Sequence, residues 1–143
     1  MDLETVLLAY GECALWSSTD NADESGGEPL DRNYGWNDIH PDTLVSMRED
    51  CAAFLAECEE LAIANGADNL TDWLANASDA SEYASRAYST EERFGHDFWL
   101  TRNGHGAGFW DRGLGKIGTL LTDAAHVWGS VDLYVGDDGL IHA

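Results

Sequence analysis

Lysine is almost missing from this chain. Lys116 and six arginines stand against 27 Asp and Glu, and the formal net charge is −20. A surface so short of cations excludes docking to DNA, RNA or an anionic membrane through phosphates, because those partners need a basic patch. Cysteine is scarce and odd in number: Cys13, Cys51 and Cys58 each fall at an apolar position of a helical pattern, with no C-x-x-C or Cys/His pairing. They read as reduced core residues of a cytosolic protein rather than as disulfides or metal ligands. No apolar run approaches membrane-spanning length, and Met1-Asp2-Leu3-Glu4 is acidic where a signal peptide is basic. The expected location is therefore the cytoplasm.

What is present is enough for a core. The 143 residues fit one domain, and six Trp, five Tyr and four Phe exclude a disordered acidic tail. Residues 2–16 read as a helix with Asp2 as N-cap and Leu3, Val6, Leu7, Tyr10 and Ala14 on one face. Residues 17–38 read as a long polar loop, broken by Pro29 and pinned to the body by Tyr34 and Trp36. Pro41 opens the clearest helix, which runs to Asn65-Gly66 with Leu44, Met47, Cys51, Phe54, Leu55, Cys58 and Leu61 as its inner stripe. Shorter helices are expected at about 69–76 and 79–94.

Beyond residue 94 the pattern changes. Asp97–Arg102 and Ala107–Asp111 read as strands joined by Asn103-Gly104-His105-Gly106, a β-hairpin with aromatic pairs on both faces. A helix over 114–128 and a second hairpin, turning at Gly136-Asp137-Asp138-Gly139, close the chain. The expected fold class is α+β, with N-terminal helices packed with a small antiparallel sheet in the order helices, hairpin, helix, hairpin. Residues 1–143 form a single domain in this reading, with an acidic helical part at 1–94 and a ββαββ part at 95–143.

The charge follows that division. Residues 1–94 hold 21 acids and four bases, a balance of −17; residues 95–143 hold six acids and three bases, a balance of −3. Such asymmetry points to an interaction face. On the 41–65 helix, Asp42, Glu49, Asp50, Glu57, Glu59 and Glu60 form the candidate partner-binding surface. Carboxylates at helical spacing can imitate the phosphates of duplex DNA and occupy the groove of a basic, nucleic-acid-handling protein. A protein adapted to high salt has a similar composition, with its self-repulsion screened by ions.

The competing candidate is a ligand site on the first hairpin, built from Trp99, Arg102, Asn103, His105, Trp110 and Asp111 beside His96. Arg102 with His105 would hold a phosphate or carboxylate of a small molecule or nucleotide, in a binding protein or a hydrolase. No nucleophile elbow, P-loop, H-E-x-x-H or EF-hand spacing occurs, so no cofactor, metal or catalytic residue is assigned. Asp137-Asp138 can attract a cation, but Gly-Asp-Asp-Gly is first a turn.

The stretch from His96 through Asp97-Phe98-Trp99-Leu100-Thr101-Arg102-Asn103-Gly104-His105-Gly106-Ala107-Gly108-Phe109-Trp110-Asp111, with Leu121-Thr122 and Tyr134-Val135-Gly136-Asp137-Asp138-Gly139, resembles small proteins encoded by bacteriophages and other mobile elements. Most of those have no assigned function. The resemblance covers residues 95–143, implies a phage or prophage setting in a host cytoplasm, and brings no site residues with it. Taken together, these features lead to the expectation of a non-catalytic accessory protein that binds a basic host protein and inhibits a defence system by DNA mimicry, of anti-CRISPR or anti-restriction type.

Overall fold

Residues 1–20, 27–77, 83 and 87–143 are described by a computed structural model of the chain. Asp2 caps α1 (Leu3–Ser17), its carboxylate accepting from the Thr5 N–H at 3.1 Å and the Thr5 hydroxyl at 2.6 Å. Pro41 stands in the first turn of α2 (Pro41–Ala64), and Asn65-Gly66 ends it. Asn69 caps α3 (Leu70–Ala75). Two further helices, α4 (Thr90–Arg102) and α5 (Lys116–His126), follow. Two short antiparallel pairs complete the fold: β1 (Thr19–Asp20) with β2 (Glu28–Pro29), and β3 (Tyr134–Val135) with β4 (Ile141–His142). The class is α+β, and the closing hairpin turns over Gly136–Gly139 as expected.

The loop expected at 17–38 contains the β1–β2 pair and two single-turn 3₁₀ helices, Leu30–Arg32 and Trp36–Asp38; residues 21–26 lie outside the described ones. Tyr34 and Trp36 do pack on the core, and Trp36 lies against Gly11 of α1. Of the helix expected over 79–94, residues 79–82 and 84–86 lie outside the described ones, residues 87–89 are not helical, and residues 90–94 are the start of α4.

The first hairpin is corrected. Residues 97–102 are the last turns of α4, and Phe109–Asp111 is a 3₁₀ turn. The reason is burial. Phe94, Phe98, Trp99, Leu100, Thr101 and Arg102 are all buried, so α4 is covered nearly all round and carries no amphipathic stripe. A short continuous apolar run of this kind cannot be separated from a strand by periodicity. Asn103-Gly104, the supposed turn, instead ends the helix: Gly104 (φ 69°) donates to Thr101 O at 3.1 Å and His105 N to Leu100 O at 3.0 Å. That pair of bonds is a Schellman cap, which requires the left-handed residue glycine supplies.

α4 is the axis of the core. It crosses α1 so closely that a Cβ at Gly95 would stand 2.3 Å from the Val6 carbonyl oxygen. Phe54 of α2 stacks on Phe98 with centroids 3.9 Å apart, and Phe94, Phe109 and Trp128 extend the cluster. Cys13, Cys51 and Cys58 are buried as free thiols within it.

Candidate functional site

The six acids proposed as one face on α2 separate into two groups. Three have intramolecular partners. Asp50 pairs with Arg102 at 2.7 Å, Glu59 accepts from the Leu70 N–H at 2.9 Å where α3 begins, and Glu57 accepts from the Trp128 indole at 3.3 Å. The other three, Asp42, Glu49 and Glu60, are exposed. Spacings of seven and eleven residues put them on one line of the helix, spanning about 27 Å. Among the described residues no Arg or Lys pairs with them, while the His40 Nδ1 lies 3.9 Å from Asp42.

The residues proposed as a hairpin ligand site are mostly structural. Trp99 is buried and donates its indole N–H to Ser17 Oγ at 2.7 Å. Arg102 is buried too, and its guanidinium donates to Asp50, Tyr10 Oη, and the carbonyls of Gly129 and Trp128. Asn103 donates to Trp99 O and accepts from the Val131 N–H, tying the end of α4 to the segment after α5. Asp111 accepts from the Gly108 N–H at 3.0 Å. Trp110 and His105 remain exposed. Arg102 is thus buried with four of its five N–H donors engaged, which leaves it poorly placed to receive a phosphate.

Of those six residues, His105 alone lines the cleft that the fold does make. This open cleft of about 790 Å³ runs between the C-terminal half of α1, the Tyr34–Trp36 segment, α4 and the loop after it. Its aromatic lining is Trp16, Tyr34, Trp36 and Tyr88; its polar lining includes Glu12, Asp31, Arg93, His96, His105 and Arg112. Sequence reasoning missed this site because its members come from four separated segments.

The chemistry of the lining favours holding over reacting. Burial, with Arg93 adding to it, pushes His96 below the ordinary imidazole value, so its ring is neutral near pH 7. Burial and then the nearby Asp97 carboxylate push the Cys13 thiol up to about 12, which keeps it protonated and a poor nucleophile. Arg112 is committed to Asp97, with contacts of 2.9, 3.1 and 3.3 Å. Asp97 itself is raised, because complete burial outweighs the help of that guanidinium.

Comparison with models of known families, with curated proteins and with solved structures finds no match. Among the described residues no helix is long and apolar enough to cross a membrane.

Proposed function

We propose that the protein is a non-catalytic accessory protein of a phage or mobile element that binds a basic host macromolecule through its acidic helical surface. The observation that carries this reading is where the cations go. Arg102 and Arg112 are drawn inward as ties to Asp50 and Asp97, while Arg48 and Arg32 pair with Glu4 and Glu28. The outside is therefore poorer in free positive charge than the composition alone suggests, and a field of one sign steers a basic partner. Asp42, Glu49 and Glu60 are the acids of α2 left to meet it. Three charges over about 27 Å compare with about eight phosphates on one DNA strand of that length. Inhibition by DNA mimicry thus needs carboxylates of neighbouring helices as well as α2.

The test reverses only the unengaged acids. A triple Asp42→Lys, Glu49→Lys, Glu60→Lys variant is expected to keep its melting temperature within a few degrees and to lose about tenfold or more in affinity for the captured partner. Capture of the wild type from host lysate should weaken with salt and yield to competing duplex DNA. A triple variant that binds as before sinks the acidic-surface reading.

A second reading rests on the cleft. Four aromatic side chains around a volume in the range of ligand pockets suit a planar small molecule, stacked on Trp16 or Trp36. Such a ligand would quench tryptophan fluorescence in the wild type and much less in a Trp16→Ala variant. Equal quenching in both would remove the cleft from consideration.

A further inference from the structure

The segment entering α2 and the last strand of the chain meet at one point. Ile39 and Ile141 form an isolated parallel bridge, and His40 N donates to Ile141 O at 2.9 Å. One residue further along each chain, the rings of His40 and His142 stack with centroids 4.6 Å apart. Tyr134, the cross-strand partner of His142, also stacks with it at 5.5 Å. The ring edge presses on Gly136, where a Cβ would lie 2.6 Å from its Cδ2. Its Nε2 faces the Asp138 carboxylate, 3.0 Å from each oxygen. The imidazole of His142 is thus fixed by its neighbours and aimed at a carboxylate.

One ligand atom from each of His40, Asp138 and His142 lies within 4.8 Å of the others. From this convergence we propose that the three side chains bind a divalent transition-metal ion, with zinc as the reference case. Two ligands of a tetrahedral zinc ion stand roughly 3.3 Å apart, given metal–ligand bonds of about 2.0–2.2 Å. The His142–Asp138 separation is close to that already. Two imidazoles and one carboxylate select Zn²⁺, Ni²⁺, Co²⁺ or Cu²⁺ over Mg²⁺ and Ca²⁺, which prefer all-oxygen shells. Water completes the shell on this open corner, and the net charge of −20 draws cations toward it.

The site has a definable cost. His40 Nδ1 accepts from the Asp42 N–H at 3.1 Å and so caps α2. If the metal takes Nδ1, that lone pair is used; if it takes Nε2, Nδ1 must carry the proton. Either way the bond to the Asp42 amide is lost. In the second case the Asp42 carboxylate, 3.9 Å from Nδ1, is placed to accept the new N–H, a carboxylate–histidine–metal arrangement. Stacked imidazoles also present their lone pairs side by side, so His40 must turn for both to converge. Three protein ligands and this rearrangement give a binding site that leaves the fold intact without metal.

The test titrates the full chain, stripped with chelator, with ZnCl₂ by calorimetry near neutral pH. One ion per chain is expected. His142→Ala and His40→Ala should each weaken it by about tenfold or more, while His126→Ala, an exposed histidine of α5, should not change it. In the wild type, Zn²⁺ should move the Asp42 amide resonance and those of residues 134–142, and Ca²⁺ should not. Asp138→Asn, which keeps both rings, serves if a histidine variant fails to fold, and should weaken binding likewise. Unchanged affinity in His142→Ala or Asp138→Asn, or saturation without shifts at residues 40–42 and 134–142, overturns the proposal.

Discussion

Replacing Arg112 with alanine is expected to destabilise the protein by about 3–5 kcal/mol, a large share of the roughly 5–15 kcal/mol that holds a domain together. The reason lies in Asp97 rather than in the arginine. Asp97 sits on α4 with no exposed surface, and its carboxylate accepts all three contacts described for Arg112. Removing the guanidinium leaves a buried anion without its counter-charge. The pH dependence has a definite sign. Burial raises Asp97 in the folded protein, so its contribution to stability is fully present below the ordinary carboxylate pKa and declines as pH rises through the raised value. Without Arg112 that pKa climbs further, and the deficit of the variant should grow from pH 5 to pH 8. Urea melts across that range check it, and a deficit that is flat with pH would show that Asp97 is not the cause. A double Asp97→Leu, Arg112→Met variant should recover much of the loss, because exchanging a buried pair for apolar groups is often neutral.

Arg102→Ala is the second large effect, about 3–4 kcal/mol by the same reasoning about severed buried partners. This side chain joins three parts of the chain at the end of α4: Asp50 on α2 at 2.7 Å, Tyr10 on α1 at 3.0 Å, and the Gly129 and Trp128 carbonyls at 2.8 and 3.2 Å. It also lies over the rings of Phe98 and Trp128. Burial pushes the Tyr10 phenol well up, so it stays a neutral hydroxyl that would be left in the core without its donor. Arg102→Lys should recover little, since one ammonium cannot span a planar fork of four acceptors. Thermal melts of the two variants decide it: a lysine variant close to wild type would mean that charge alone, not fork geometry, holds the joint. Reversing Asp50 would break the same joint, so loss of partner binding in that variant would report unfolding instead of recognition.

These two arginines mark where reading the sequence stops. Signals carried by adjacent residues were legible: Asp2 before an apolar stripe, Pro41 and Asn65-Gly66 around α2, and Gly-Asp-Asp-Gly as a turn. The start of α4 carried a signal that the expected 79–94 helix runs straight past: Ser89 and Glu92, whose side chains cap each other's backbone as an S-x-x-E box. That box signals a helix running past residue 94. The body of α4 gave no such signal, because a helix buried on most sides loses the alternation by which helices are recognised. Asn103-Gly104 suits both a hairpin turn and a helix cap, and only the tertiary setting decides between them. The acids were countable, but which were engaged depended on partners distant in sequence: Asp50 meets Arg102, and Glu57 meets Trp128. The cleft was hidden for the same reason.

The three buried thiols give the molecule a built-in reporter. Burial holds Cys13 and Cys51 at about 12 and Cys58 higher still, so none is a thiolate in the closed protein; Cys51 and Cys58 are wholly buried, while Cys13 keeps a sliver of surface on the cleft. Cys13 faces the core from α1, the other two from α2. An alkylating reagent therefore reads time spent open, helix by helix. Modification at residue 13 ahead of 51 and 58 would report access through the cleft or release of α1, whereas modification of 51 and 58 requires α2 itself to open, and simultaneous modification of all three would mean that the core opens as one piece.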